Sequence, residues 1–165
     1  MATAVAEQIL ELVEFRMGLI NPTDGYENTI SQVLRTKRLD DDFTPLHNTI
    51  VIEWDDKQPN PAHDCPGNPP AKGWNLNVDI IGLMSPSEAD TTAADTFRNQ
   101  MAGDIVVALA DVDSGQWRQW NGLALNTELG PIAPYHNSAG QDIGVRVSIT
   151  IAFRTVEGDP FISRA

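Results

Sequence analysis

The sequence contains a single cysteine and lacks any long hydrophobic run. Because Cys65 is the only cysteine, no disulfide can form within the chain, and nothing indicates an oxidising compartment. No apolar segment approaches the roughly 20 residues that are needed to span a bilayer. The segment 1–15 carries glutamates within its apolar stretch and lacks the basic start of a secretory signal. We therefore expect a mature cytoplasmic protein with no membrane partner.

Basic residues are also scarce. The chain has 11 Lys and Arg residues against 23 Asp and Glu residues, which gives a formal net charge of -12 at pH 7. Neutralising a nucleic-acid backbone requires clustered Lys and Arg, so this composition argues against a protein that binds DNA tightly. The acidity has two interpretations: it keeps an ordinary domain soluble, or it forms a surface that DNA passes without adhering.

The length and composition are those of one ordinary globular domain. A chain of 165 residues with 41% hydrophobic and 21% charged residues can bury roughly two thirds of its unfolded surface without disulfides or metals. The sequence shows no internal repeat. We therefore expect a single domain over residues 1–165, with a proline-rich insertion at about 55–73.

Residue periodicity predicts the secondary structure of the N-terminal half. Apolar residues at helical spacing predict an amphipathic helix over 5–20, which an Asn-Pro pair ends. Two strands are expected next, over 28–35 and 48–54. The segment 55–73 contains five prolines and no apolar period, so we expect an exposed, extended loop there.

The C-terminal half combines strands with one long helix. Strict alternation of apolar and polar residues predicts strands over 74–80 and 143–153. Between them, a Ser-Pro-Ser-Glu capping sequence predicts a helix over 85–111. A weaker strand over 117–125 and a loop over 128–140 follow it, and a Gly-Asp-Pro turn precedes a short tail. The order of these elements predicts an α+β fold, with a largely antiparallel (mixed) β-sheet and two helices packed on one face.

The sequence contains none of the common motifs of hydrolases and nucleotide-binding proteins. There is no Gly-x-Ser-x-Gly elbow, no Walker-type loop and no GxGxxG. Cys65 lies in the proline-rich segment and is interpreted as a surface thiol rather than a nucleophile. We therefore predict no catalytic residues, no cofactor and no enzyme activity.

One cluster offers the ligand types of a zinc site. His63, Asp64 and Cys65 are adjacent, and the remaining histidines are His47 and His136. Zinc sites normally show two close-spaced ligand pairs, and this sequence has no second pair. An ordinary polar loop is therefore the preferred interpretation, and the runs of adjacent aspartates elsewhere are interpreted as solvated charge.

The tryptophans divide into two pairs. Trp54 and Trp74 fall on the apolar faces of predicted strands, so we expect them in the core. Trp117 and Trp120 lie beside polar residues. For this second pair the sequence leaves core packing and anchoring of an interface equally open.

A series of short motifs runs through most of the chain. A TDGY turn (23–26) opens the segment ENTISQVLR (27–35), and NVDIIG (77–82) ends a strand pair. The helical segment ADTFRNQMAGDIVVAL (94–109) precedes a long strand that closes in AFRTVEGDPF (152–161). In content and order these motifs resemble the tail terminator and tail completion family of long-tailed phages, although the proline-rich segment departs from the compact members.

The resemblance implies a structural virion protein. Members of that family form hexameric rings at the head-proximal end of the tail, where they cap the tube of tail tube protein, stop its growth and dock to the head connector or neck protein. It also implies assembly in the host cytoplasm and a lumen through which DNA passes without specific binding. Interface positions are expected at strand ends and loops, at Tyr26, Arg35, Asp41, Trp117, Trp120, Arg154 and Asp159.

Other interpretations remain open at this point. Another head-tail neck or stopper protein would follow the same non-enzymatic logic at a different level of the particle. A host-encoded α+β binding module would have no phage role. A small-molecule or metal-binding enzyme would use the segment 63–65.

Overall fold

The sequence folds into two α-helices and seven strands in a computed structural model, which describes residues 3–40, 43–84, 92–110, 120–136 and 142–164. Two short 3-10 helices, Pro22–Asp24 and Pro61–His63, lie in the connections. The helices and strands are, in chain order, α1 (Val5–Gly18), β1 (Gln32–Thr36), β2 (Thr49–Trp54), β3 (Gln58–Pro59), β4 (Ala71–Leu83), α2 (Thr92–Ala110), β5 (Ala124–His136), β6 (Asp142–Val156) and β7 (Asp159–Ser163).

All the strands belong to one mixed sheet. Its main order is β1-β2-β4-β6-β5, so β1 and β5 form the two edges. β1 runs parallel to β2, and the other pairs are antiparallel, including the short β3 against β4 and β7 against β6. The helices pack against this sheet, which confirms the predicted α+β fold.

The main core lies between the helices and one face of the sheet. Alternating side chains of β4 and β6 point into it, as the sequence pattern predicts, and the apolar stripes of both helices cover them. Full burial of one such aliphatic or aromatic side chain contributes about 1.5–3 kcal/mol. The largest of its fully buried side chains include Ile9, Met17, Ile50, Ile52, Leu76, Ile80, Met101, Trp120 and Phe153.

The opposite face of the sheet is mostly polar. A small apolar cluster of Leu39, Val51, Ile81 and Leu83 covers one end of it. Elsewhere polar side chains bond across strands: the Ser148 hydroxyl lies 2.5 Å from an Asp79 carboxylate oxygen. We call this surface the open face.

The N-terminal elements begin and end differently from the prediction. α1 ends at Gly18 rather than at residue 20. β1 begins at Gln32 rather than at residue 28, because the preceding backbone is already engaged: the Ile30 N–H donates to the Ile20 carbonyl at 3.1 Å. The predicted second strand matches β2 within one residue.

The largest correction concerns β5. Residues 120–123 form a turn, with Trp120 and Asn121 at φ of 48° and 56°, so the predicted strand over 117–125 is wrong over 120–123. Its last two residues, 124–125, begin β5. Most of the predicted loop over 128–140 is instead strand. Proline is tolerated at sheet edges and bulges, and Pro131 falls in an irregularity between Leu129 and Ile132 of this edge strand.

The proline-rich segment is not the extended loop that we expected. It contains β3, a 3-10 helix and the first residues of β4. Cys65 and Ala71 form an isolated antiparallel bridge with N–O distances of 3.0 and 2.9 Å. The segment is therefore folded back along the sheet, although many of its side chains remain exposed.

Two further predictions concern the chain after β4 and the C-terminal tail. The predicted helix start at Ser85 lies outside the described residues, and α2 is described from Thr92. The predicted short tail forms β7 after a turn at 157–158. Among the described residues, no helix is both long and apolar enough to cross a membrane.

Candidate functional site

Large apolar side chains are exposed on several separate elements. Phe15 and Leu19 on α1 are 64% and 43% exposed. Exposed apolar residues also occur on the edge strand β5 and on β7: Leu129, Ile132, Phe161 and Ile162. Single exposed apolar residues are common, but groups of them mark surfaces that bind other proteins.

A groove beside α1 brings together part of this apolar surface. It has a volume of about 170 Å³, and we call it the α1 groove. Phe15 and Leu19 form its exposed wall, and Tyr26 lines it from the turn that follows the helix. Its lining residues are Leu12, Phe15, Arg16, Leu19, Tyr26, Ala108 and Asn121.

Arg16 ties together the elements that form this groove. The residue is buried, and its Nη1 donates to the carbonyl oxygen of Leu109, in the last turn of α2, at 3.0 Å. The guanidinium also lies 4.5 Å from the ring centroid of Trp120. A cation is stabilised at a helix C-terminus and over an indole ring. Arg16 therefore fixes α1 to α2 and to the turn at 120–123.

A buried carboxylate orders the chain next to Tyr26. Asp104 on α2 is 5% exposed. It accepts from the backbone N–H groups of Glu27 and Asn28 at 3.0 and 2.9 Å, and from the Asn28 side-chain amide at 2.8 Å. These bonds satisfy buried donors and hold the wall of the α1 groove that Tyr26 provides.

The second apolar surface is the edge strand β5. Leu129 and Ile132 are 52% and 47% exposed. A groove of about 210 Å³ separates this strand from α2, and Ile132, Ala133 and Arg98 are among the residues that line it. An edge strand with exposed apolar side chains is a surface that another chain can cover.

β7 provides the third surface. Phe161 and Ile162 both remain about half exposed. The strand is anchored at its C-terminal end, where the Ser163 hydroxyl lies 3.5 Å from the Leu123 carbonyl oxygen. The backbone N–H of Arg164, the next residue, donates to the Arg154 carbonyl oxygen at 3.3 Å. These apolar side chains therefore have a defined position on the surface.

The expected interface residue Tyr26 lies at the α1 groove, but Arg35 and Trp120 have internal roles. The Arg35 side chain is 23% exposed, pairs with Glu7 and Glu14 of α1, and lies 5.8 Å from the Trp54 ring centroid. Trp120 is fully buried, and its indole N–H donates to the Thr127 hydroxyl at 2.8 Å. Of the two alternatives for Trp120, the structure therefore supports core packing.

The remaining expected positions are dispersed. Arg154 is partly buried and donates through Nε to the His63 carbonyl at 2.5 Å. Asp159 accepts from the Phe161 N–H at 3.0 Å and so shapes the start of β7. Asp41 and Trp117 lie outside the described residues.

The other two tryptophans contact the core without being fully buried. Trp54 and Trp74 both pack against the main core as partly buried residues. The Trp74 indole N–H donates to the Thr155 hydroxyl at 3.0 Å, and Lys57 lies 4.4 Å from its ring centroid. Core membership was thus predicted correctly, while the degree of burial was lower than expected.

The open face offers a small polar cavity instead of an apolar one. Its volume is about 110 Å³, and Glu53, Asp55 and Asp79 are among its lining residues. Arg146 lies 3.7 Å from Asp79 and 3.9 Å from Glu53, so part of this acidity is paired within the sheet. The residues match no arrangement for nucleophilic catalysis.

The histidine-aspartate-cysteine cluster is engaged in local structure. The Asp64 carboxylate accepts from the Gly73 N–H at 2.8 Å and lies 3.2 Å from the Lys72 ammonium, while Cys65 is exposed. In the described parts of the chain, no group of three or more His, Cys, Asp or Glu side chains is placed to hold a metal ion. The cluster therefore fastens the proline-rich segment to β4.

The Asp64 contacts make a pH-dependent prediction. The Gly73 N–H, and then the Lys72 hydrogen bond, hold the pKa of Asp64 below its usual value. Because the folded pKa is the lower one, this stabilisation is present above the unfolded pKa of about 3.9 and is lost as the pH falls through the folded pKa. We expect the NMR shift of the Gly73 amide proton to titrate with a midpoint below the unfolded pKa, and Asp64→Asn to abolish that titration. A midpoint above the unfolded pKa would contradict this arrangement.

The exposed apolar residues Phe15, Leu19, Phe161 and Ile162 were not predicted from the sequence as part of a candidate site. For α1 the exposure was predictable from helical spacing, because Phe15 and Leu19 lie outside the buried stripe of Ile9, Val13 and Met17.

No protein-family model matches this chain, and no curated protein matches it significantly. Its function is therefore inferred from the surfaces described above.

Proposed function

We propose that this protein is a structural component of a phage tail, a tail terminator that assembles into a hexameric ring. The ring caps the tail tube, stops polymerisation of the tube protein and docks to the head connector. The observation that supports it most is the exposure of large apolar side chains on α1, on the edge strand β5 and on β7 of one packed domain. Burial of such surfaces drives subunit association.

A ring needs two different, complementary surfaces on each subunit. The α1 groove and the edge strand β5 are different surfaces in this sense. The sheet also has two edges, at β1 and β5, and a neighbouring subunit can cover an edge that would otherwise promote aggregation. These features favour a self-assembling structural protein over a binding module that acts as a monomer.

The acidity of the chain has a role in this proposal. We propose that part of the net charge of -12 faces the lumen of the ring, so that DNA leaving the head slides past without adhering. The resemblance of the sequence motifs to tail terminators supports the same assignment. An electrostatic map of the assembled ring with a basic lumen would contradict this role.

The first test is the mass of the purified protein by light scattering, alone and with tubes polymerised from the tail tube protein of the same phage. We expect a hexamer, or a monomer that becomes a ring on tube ends and stops tube elongation. Electron microscopy of the tube ends provides the control for nonspecific adhesion along the tube wall.

The contrary outcomes are distinct. A protein that remains monomeric at every concentration and ignores tubes would overturn the proposal in favour of a binding module. A protein that assembles but binds the isolated connector and not the tube would identify a neck or stopper protein instead.

A further inference from the structure

Two arginines lie directly opposite each other where β6 and β7 end. Thr155 of β6 faces Ser163 of β7. The next opposite residues are Arg154 and Arg164, and the Arg164 N–H donates to the Arg154 carbonyl oxygen at 3.3 Å. Opposite residues of antiparallel strands project from the same face, with Cβ atoms about 4.5–5.5 Å apart, and like charges in this position are destabilising. The pair therefore needs a negative charge beside it.

Neighbouring residues do not supply that charge. The residue opposite Arg154 on its other side is Gly73 of β4, which has no side chain. Asp64 and Glu157 are close to this corner along the chain, but they lie 3.2 and 3.9 Å from the Lys72 ammonium. Within the described residues, neither arginine of the pair forms an ion pair.

The convergence of two such cations distinguishes this place from the rest of the surface. The chain has 23 acidic and only 11 basic residues. Arg38 and Lys57 also form no ion pair with a described acid, but they lie singly in separate connections, after β1 and before β3. Arg154 and Arg164 share one face and one cavity. An anion placed between them contacts two positive charges at once.

The shared cavity has a volume of about 340 Å³. Its opposite wall belongs to the proline-rich segment and includes Cys65, Pro66, Pro69 and Ala71. That wall is held in place by the bridge between Cys65 and Ala71 and by the Arg154 Nε, which donates to the His63 carbonyl oxygen at 2.5 Å. None of the described residues that line the cavity is acidic.

We propose that Arg154 and Arg164 form a binding site for a small phosphate dianion, either inorganic phosphate or a compact phosphomonoester. The guanidinium fork matches phosphate oxygens, and two forks balance the two charges of the dianion. The cavity is at the small end of ligand pockets, which suits such a ligand. DNA fits less well, because a polyanion would have to approach a chain with a net charge of -12. This inference is independent of the proposed role in the tail.

Titration with inorganic phosphate tests the site. At about pH 8, where phosphate is mainly a dianion, we expect saturable NMR shifts of the Arg154 and Arg164 amide and Nε–H signals at constant ionic strength. Arg154→Gln and Arg164→Gln should each weaken binding at least about tenfold, since each removes charge-assisted hydrogen bonds. Arg38→Gln removes the same charge from an exposed position elsewhere and should leave the affinity unchanged.

Cys65 provides a second readout, because it is the only cysteine and lines the same cavity. We expect phosphate at about ten times its Kd to slow alkylation of Cys65 by iodoacetate about tenfold, since most molecules then carry the ligand. At the same phosphate concentration, Arg164→Gln should lose most of this protection and Arg38→Gln should keep it. Sodium chloride at equal ionic strength is the control for screening.

The contrary outcomes are specific. The site is wrong if Arg164→Gln binds phosphate as well as Arg38→Gln does, or if acetate, a monoanion, binds these residues as tightly as phosphate. Tighter binding of a DNA oligonucleotide to the same residues would overturn the proposal in favour of a nucleic-acid contact. Circular dichroism melting verifies that each variant is folded, and the described contacts of the Arg164 side chain include no bond that its loss would break.

A comparison of ligands identifies the source of the phosphate. Inorganic phosphate and glycerol 2-phosphate are titrated in parallel, and tighter binding of either one supports the site and selects between a free ion and an ester. These measurements require no assembly of the protein. Failure of the phosphate site would therefore leave the terminator proposal standing, and a protein that ignores tubes would leave the phosphate site standing.

Discussion

Replacing Gly144 with alanine is expected to lower the free energy of unfolding by about 3 kcal/mol, at the upper end of the cost of overpacking. Gly144 is buried in β6, opposite Leu83 of β4. An added Cβ would overlap the carbonyl oxygen of Gly82 and lie 3.1 Å from its carbonyl carbon. Because these are backbone atoms of a central strand, no side-chain rotation can relieve the overlap.

The measurement is the midpoint of thermal or urea unfolding, where a change of this size lowers Tm by roughly 10 °C in a domain of this length. Gly103→Ala is the matched control. Gly103 is exposed within α2, and an added Cβ there meets nothing within 4 Å. It should stabilise the helix by about 0.5–1 kcal/mol. Equal stability of the two variants would show that β4 and β6 are not packed as described.

Strands with strict alternation were predictable because the period itself specifies a face. The predicted strand over 143–153 lies within β6 (Asp142–Val156), and that over 74–80 lies within β4 (Ala71–Leu83). The core residues of both strands follow from the same pattern, since one face of each is buried against the helices. The fold class could therefore be predicted from local pattern alone.

β5 and β7 were not predictable in the same way. β5 is exposed along most of its length and contains Gly130, Pro131 and Pro134, all of which normally indicate a loop. Its pairing with β6 overrides those local preferences, as tertiary context does for strands generally. β7 has only five residues and no buried hydrophobic face, so its sequence carries little periodic signal.

The candidate site was only partly predictable because its residues meet through tertiary contacts. Tyr26 was expected at a surface and lines the α1 groove. Arg35 looked like an exposed strand-end cation, but α1 lies against it and supplies Glu7 and Glu14. Nothing in a linear pattern reveals that pairing, since 21 residues or more separate the partners in the sequence.

Asp104→Ala is expected to lower the free energy of unfolding by about 3 kcal/mol, because buried donors that lose a charged acceptor incur their full desolvation cost. The backbone N–H groups of Glu27 and Asn28, and the Asn28 amide, all donate to this one carboxylate. Asp104→Asn should cost somewhat less, since its amide keeps one acceptor oxygen. Urea unfolding measures both changes.

The same substitution is expected to weaken self-association, because residues 27–28 follow Tyr26 at the α1 groove and lose their anchor on α2. Sedimentation velocity well below the unfolding midpoint separates this effect from global unfolding. Gln100→Ala on the same helix is the control: Gln100 is exposed, so the change should stay within about 0.5 kcal/mol and leave association intact. If Asp104→Ala destabilised the fold yet assembled as well as the control, the α1 groove would not be the surface through which copies meet.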